Sequence, residues 1–328
     1  MKVTKMSDLI VYKLMQKEIE EALWKSQDER IKEELSVPHT GELIQDEELR
    51  EIIRNFTMIF KSSFTNEQVR HMNYKLTFLR FRDTENTQLV GKFISLGNYN
   101  SLNNVITIIH INRPKITKML QEETYYHELL HMASTVRTKD KHYVGFEIPG
   151  VFGRKLNEGY TEYLTRKYFT RGNEYVQTSD IGIIMAKGIE NIIGREKMQE
   201  YFFNGNLNQL IEDLSQYSTR EEIIKLIFLM DRLDSKFKVA KDIDDIIREI
   251  AILNKRKLQK DYEEGKLTDE EFLLEKLMKV DHYCVRNLWS EQTQVIESGD
   301  SFYLEDQGFK SRTYKKLNVN KVKTKCKQ

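Results

Sequence analysis

The stretch TYYHELLHMASTV, residues 124–136, constrains the fold more than any other part of the chain. Its residues follow one another at about 100° around a helix. One stripe of that helix carries apolar side chains, those of Tyr125, Leu129, Met132 and Val136. His127 and His131 fall together on nearly the opposite side, with Glu128 on their flank. The pattern predicts a helix that packs through its apolar stripe and presents two imidazoles at one point.

This histidine pair predicts a metal site. Side chains at positions i and i+4 are neighbours on a helix, so both rings can bind one ion. Zinc takes imidazole readily and prefers about four ligands. Glu128 is poorly placed to share the metal but can reach an open coordination position, where it would accept a proton from water. The alternative is an ordinary buried helix with two hydrogen-bonded histidines, and a third ligand is needed to decide.

A second helical pattern, KLNEGYTEYLTRKYF over residues 155–169, offers that ligand. Glu158 and Glu162 lie four residues apart and therefore share one helix face. One carboxylate can complete a His-His-Glu set, and the other can accept the spare ring N–H of a ligand histidine. Two glutamates on a helix are also typical of a solvated face. Their position one loop after the first motif favours the metal interpretation, with Glu158 as the ligand.

Together, HELLH and NEGYTE resemble the gluzincin-type zinc metallopeptidases, the thermolysin-like enzymes. The resemblance covers roughly Val105–Phe169. It implies a zincin-like core in which Zn²⁺ is bound by His127, His131 and Glu158. It further implies that Glu128 is the general base and that Glu162 hydrogen-bonds a ligand histidine. The strand before the first helix, Val105–Ile111, occupies the place of the family's substrate-pairing edge.

The sequence departs from the family pattern in three respects. Glu162 stands where aspartate is usual, and the stretch between the motifs is longer than in thermolysin-like enzymes. No histidine follows Glu158 until His282, so the family's oxyanion-stabilising histidine has no obvious counterpart. Three residues remain candidates for that role: Tyr143, Tyr160 and His282.

The other histidines and the cysteines carry weaker signals. Arg137 stands where a metzincin would need a third histidine, which argues against that family. Cys284 lies near His282 but has no evident orienting acid, so it is a poor candidate nucleophile. Four further histidines have no partner at ligand spacing and are expected to be structural: His39, His71, His110 and His142.

The periodicity of the chain predicts an α+β fold. Leu9–Lys25 and Leu49–Phe64 have helical patterns. Three short runs rich in β-branched and aromatic residues then predict an antiparallel meander: Tyr74–Phe81, Gln88–Gly97 and Val105–Asn112. We therefore divide the chain into an N-terminal helical region (1–65), a core with a small, mostly antiparallel sheet and both motif helices (66–178), a large helical lobe (179–300) and a basic tail (301–328).

Local signals place helix boundaries in the C-terminal lobe. Thr219–Glu222 and Thr268–Glu271 have the capping-box form, in which a hydroxyl and a carboxylate exchange hydrogen bonds with backbone N–H groups. Asn204 and Gly205 stand between helical runs, and they predict an interhelical turn. After Ser179 nearly the whole chain reads as helical.

Composition narrows the range of partners and compartments. Lysine plus arginine total 52 against 51 acidic residues, which gives no reason to expect nucleic acid or membrane partners. The eight basic residues of Phe309–Gln328 are expected to be a solvated terminus, with a polyanion contact as the alternative. Two cysteines, no signal peptide and no long apolar run favour a cytoplasmic protein, with export by another route left open. The oligomeric state has no signature.

Two functions follow from the resemblance. The first is a zinc metallopeptidase that hydrolyses a peptide or protein substrate, with Glu128 delivering the activated water. The second is a zincin-fold binding or regulatory protein that keeps the zinc but cleaves little or nothing. Glu128 argues for catalysis, because a purely structural site would close its fourth position instead.

Overall fold

The computed structural model describes residues 15–21, 47–85, 97–110, 118–137, 142–169, 181–233, 240–276, 294–298, 301–306 and 309–315. These residues are mostly helical and include small sheets, so the α+β class is confirmed. The N-terminal helices are α1 (15–21), α2 (Glu47–Ser63) and α3 (Asn66–Thr77). The α2 helix matches its predicted pattern and buries Leu49, Ile52, Phe56 and Phe60 at helical spacing.

The three-stranded sheet has the order β1-β3-β2, with β1 at Arg80–Glu85, β2 at Gly97–Asn100 and β3 at Val105–His110. The central strand β3 pairs parallel with β1 and antiparallel with β2. The predicted antiparallel meander is therefore wrong, and this sheet is mixed. Because β3 is paired on both sides, Val105–Ile111 is not the free edge that the sequence suggested. Within the described residues the edge strands of this sheet are β1 and β2.

The predicted strand Tyr74–Phe81 is also wrong over its first half, because α3 continues to Thr77. Thr65 accepts the N–H of Gln68, and the Gln68 side chain accepts the N–H of Thr65, which is a complete capping box. This cap starts a helix that overrides the β-forming residues at its end. The predicted strand Gln88–Gly97 lies outside the described residues except for Gly97.

The first motif forms α4 (Lys118–Ser134), which runs into the short β4–β5 hairpin (Thr135–Arg137 and His142–Val144). Its predicted apolar stripe is buried, as expected: Tyr125, Leu129, Met132 and, in β4, Val136. Lys75 of α3 is 1% exposed, and its Nζ donates to the carbonyl of Ala133, 2.8 Å away. An ammonium group at the last turn of α4 satisfies a carbonyl there and complements the helix dipole.

The second motif forms α5 (Arg154–Leu164), which continues as a π-helical turn over Thr165–Phe169. Tyr160 and Leu164 are fully buried, so this side of the helix packs on the core. On the same helix, Gly159 lies against Gly182 of α6, and a β-carbon at Gly159 would sit 2.2 Å from the Gly182 carbonyl oxygen. The two helix backbones therefore touch directly beside Glu158.

The remaining helices form the C-terminal lobe: α6 (Ile181–Ile193), α7 (Arg195–Phe203), α8 (Leu207–Leu214), α9 (Arg220–Arg232), α10 (Ala240–Glu263) and α11 (Asp269–Lys276). The hydroxyls of Thr219 and Thr268 cap α9 and α11, as predicted. Gly205 adopts a φ of 59° in the turn between α7 and α8, which confirms the predicted interhelical turn.

The C-terminal segment contains strands that the sequence did not predict. β6 (Gln294–Ser298), β7 (Ser301–Asp306) and β8 (Phe309–Lys315) form an antiparallel sheet in that order. The expectation that nearly all residues after Ser179 are helical is therefore wrong for this segment. Part of the predicted basic tail is extended chain paired in a sheet. Among the described helices, none is both long and apolar enough to cross a membrane.

Gly159→Ala tests the close approach of α5 and α6. The added methyl group would meet a backbone carbonyl, which cannot rotate away, so we expect a loss of stability of about 1–3 kcal/mol. Denaturant unfolding of the metal-free protein measures it. Glu200→Ala, an exposed change on α7, is the control and should change stability by less than about 0.5 kcal/mol. Unchanged stability in Gly159→Ala would contradict the contact.

Candidate metal centre

Three side chains from the two motif helices converge on one point. His127, His131 and Glu158 each offer one ligand atom, and these atoms all lie within 4.8 Å of one another. The two Nε2 atoms are 3.0 Å apart. The Glu158 Oε2 atom lies 3.4 Å from Nε2 of His127 and 3.6 Å from Nε2 of His131. Two imidazole nitrogens and a carboxylate oxygen in this arrangement can hold a metal ion.

Glu158 is the most solvent-accessible member of this cluster. Its side chain is 41% exposed, compared with 18% for His127 and 7% for His131. The two histidine side chains are therefore mostly covered by protein, while the glutamate side of the cluster is in contact with solvent. A molecule from solvent reaches the cluster from that side.

Glu162 forms a hydrogen bond with Nδ1 of His127, the ring nitrogen that is not one of the candidate ligand atoms. Its Oε2 lies 3.0 Å from Nδ1 of His127, and Nε of Arg166 donates to its Oε1 at 2.6 Å. A proton on Nδ1 that is donated to Glu162 leaves the Nε2 lone pair facing the cluster. This is the contact that the sequence expected from one of the two glutamates. Arg166 fixes the carboxylate in turn and was not singled out from the sequence.

Asn157 lies behind His131. Its side chain is fully buried, its Oδ1 accepts the N–H of Phe146 at 3.2 Å, and its Nδ2 lies 3.4 Å from Nδ1 of His131. The amide therefore packs against the ring and limits its rotation. The sequence predicted no role for Asn157, although its place directly before Glu158 in the NEGYTE motif was a usable signal.

Glu128 lies beside the cluster without belonging to it. It is 7% exposed, and the backbone N–H of Tyr99 donates to its carboxylate. A β-carbon at Gly97 would lie 2.9 Å from Cγ and Oε1 of Glu128 and 2.6 Å from Thr124 Cγ2. The strand β2 therefore packs directly on this glutamate. The sequence does not indicate this role of the Tyr99 backbone, because every residue except proline has a backbone N–H group.

The electrostatics of the site favour a positive charge at His127. Burial alone would lower the pKa of His127, but its hydrogen bonds to Glu158 and Glu162 raise it to about 10. Burial acts to raise the pKa of Glu162, yet the bond from His127 lowers it to about 2. The pKa of Glu158 is likewise well below its ordinary value, because the charges and hydrogen bonds of both histidines outweigh its burial. The two carboxylates thus stabilise a cation between them.

The pKa values of two nearby carboxyl groups are raised instead of lowered. Burial raises the pKa of Glu128, although His131 and His127 partly offset this effect. Burial and the charge of Glu158 also raise the pKa of Glu147, a partly buried residue in the turn after β5. Glu147 lies close enough to interact electrostatically with His131 and Glu158, and the sequence analysis missed it.

Two of the three oxyanion candidates, Tyr160 and Tyr143, lie within the described residues. The Tyr160 hydroxyl is fully buried and donates to Oε2 of Glu190 at 2.7 Å. Tyr143 is buried in β5, where its Cβ lies against Gly205. His282 lies outside the described residues, as do His39 and Cys284.

The remaining described histidines lie elsewhere. His142 is bound to the hydroxyl of Ser101 through Nε2 at 2.7 Å, and Arg137 donates to the carbonyl of Leu102. His71 lies in α3, and His110 ends β3.

Comparisons with protein-family profiles, curated proteins and solved structures found no match to this chain. The resemblance to gluzincins therefore rests on the two motifs, and it stays a prediction.

Zinc titration of alanine variants tests the assignment of ligands. His127→Ala, His131→Ala and Glu158→Ala each remove a predicted ligand, so we expect severe loss of zinc binding. Glu162→Ala removes a hydrogen bond to a ligand and should weaken binding by about 10- to 100-fold. Competition with a chromophoric chelator orders the variants. If Glu162→Ala proved more damaging than Glu158→Ala, the roles of the two glutamates would be reversed.

Proposed function

We propose that this protein is a zinc-dependent metallopeptidase with a zincin-like core. The observation that carries the proposal is the position of Glu128. Its buried carboxylate stands beside a cluster of three metal-ligand atoms without being one of them. A site that served only to stabilise the fold would use its fourth position for another protein ligand.

The residues present suit zinc. Two imidazoles and one carboxylate form a donor set that catalytic zinc sites use, with the fourth position open. The pair of carboxylates that stabilises a positive charge at His127 would favour a divalent cation in the same way. When bound, zinc would supply Lewis acidity, polarising a scissile carbonyl and acidifying water.

Glu128 is the proposed general base. It would take a proton from water and pass that proton to the leaving amine as the peptide bond breaks. A pKa raised by burial brings this carboxyl closer to neutral pH, where one group can both accept and donate a proton. The N–H of Tyr99 would hold the carboxylate in position, and Glu162 would orient His127.

The substrate is proposed to lie along β2. The N–H of Tyr99 is directed at Glu128, so this part of β2 faces the site and not β3. In an antiparallel pair the C=O of the same residue points to the same side as its N–H. The outward groups of β2 would then pair with an extended peptide, which would run past Glu128.

The alternative function is a binding or regulatory protein that keeps the metal. One observation favours it. The hydroxyl of Tyr160, one of the candidates for oxyanion stabilisation, is buried and donates to Glu190 instead. The two functions share the metal and differ in whether Glu128 transfers a proton.

Glu128→Gln separates these functions. The substitution keeps the shape of the side chain and removes the base. We expect unchanged zinc content and a fall in hydrolysis of at least about 10²- to 10⁴-fold. Zinc is measured by elemental analysis, and cleavage by mass spectrometry of a mixed peptide library. If both proteins hold zinc and neither cleaves any peptide, the binding function is correct.

Gly97→Ala tests the packing of β2 on the general base. The new methyl group would overlap with Glu128 and Thr124, so we expect hydrolysis to fall by at least about tenfold while zinc is retained. Asn98→Ala is the matched control, because Asn98 is exposed on the same strand. Equal activity of the two variants would argue against β2 as the support of Glu128.

A further inference from the structure

The helix that carries Glu158 has no N-terminal cap of its own. Gly153 occupies the cap position of α5 with a φ of 88° and has no side chain to offer. The first turn contains no acidic residue. A helix start without such groups leaves backbone N–H donors that need acceptors from elsewhere.

A carboxylate from a distant helix supplies these acceptors. Asp231, in the last turn of α9, accepts the N–H of Gly153 through Oδ2 and the N–H of Lys155 through Oδ1, both at 2.7 Å. Both oxygens are thus used on one helix terminus. A negative charge there also complements the helix dipole. The cap that most helices obtain locally comes here from a residue 78 positions further along the chain.

This contact lies close to the metal ligand. Glu158 follows Lys155 by three residues on the same helix, about one turn. The α5 helix is also in backbone contact with α6 through Gly159 and Gly182. A hydrogen-bonded helix transmits a displacement of its first turn to the next, and a zinc–carboxylate bond tolerates only small changes in distance.

We propose that Asp231 is a positioning residue for the metal centre, fixing α5 where Glu158 reaches both histidines. The inference rests on the proposed zinc site and adds to it. It makes the site depend on the helical lobe, although all of the proposed ligands lie in the region 66–178. Asp231 acts through Glu158 and not on the metal itself.

The test is zinc affinity, measured by chelator competition at a temperature well below the unfolding transition of each variant. Asp231→Ala removes both acceptors, and we expect binding at least about tenfold weaker. Asp231→Asn keeps one acceptor, so its zinc affinity should lie between those of Asp231→Ala and the wild type. It also provides the test if the alanine variant does not fold. In the Glu158→Ala background, Asp231→Ala should cause no further loss, because the ligand that it positions is gone.

Asp213→Asn is the control. Asp213 is a partly buried carboxylate of the same lobe with three partners, Lys197, Tyr201 and Gln209, all of which lie in α7 or α8. Its loss should lower stability without changing zinc affinity. The inference would be overturned if Asp213→Asn weakened zinc as much as Asp231→Asn, or if folded Asp231 variants bound zinc like the wild type. A wild-type protein that binds no zinc would overturn the proposed function as well.

Discussion

The hydrogen bond between His127 and Glu162 joins α4 to α5, and the geometry of the candidate metal centre depends on it. Partly buried imidazoles and carboxylates that stand alone are costly, because each loses part of the solvation of its charge. They are tolerated here because they compensate one another across the gap between two helices. That compensation requires a fixed spacing and rotation of α4 and α5. The rest of the fold can be understood as the means of holding that spacing.

Charged groups from other elements secure one end of each motif helix. The ammonium of Lys75 reaches a carbonyl in the last turn of α4, and the carboxylate of Asp231 reaches two N–H groups at the start of α5. Each sign matches the helix end that it contacts. Neither residue carries a recognisable motif, because its role exists only once distant segments have come together.

The sequence predicted the parts of the molecule that follow from local periodicity. The apolar stripe of α4, the face shared by Glu158 and Glu162, and the caps at Thr219 and Thr268 are all properties of short segments. The order of strands is different, since it depends on which segments pair across the chain. No pattern in the sequence therefore predicted that β3 would be central, or that β1 would pair parallel with it. The same reason explains why the sequence predicted no role for Asn157, whose contacts are with Phe146 and His131.

The distance between Asp231 and α5 along the chain bears on biosynthesis. Both motif helices are synthesised before the residue that caps the second of them. At ordinary rates of translation, 78 residues take on the order of ten seconds. During that interval the nascent chain carries both histidines and Glu158 without the contact that Asp231 makes with the start of α5. A chain that acquires its metal tightly only after α9 has docked would load it late, when the helical lobe is complete.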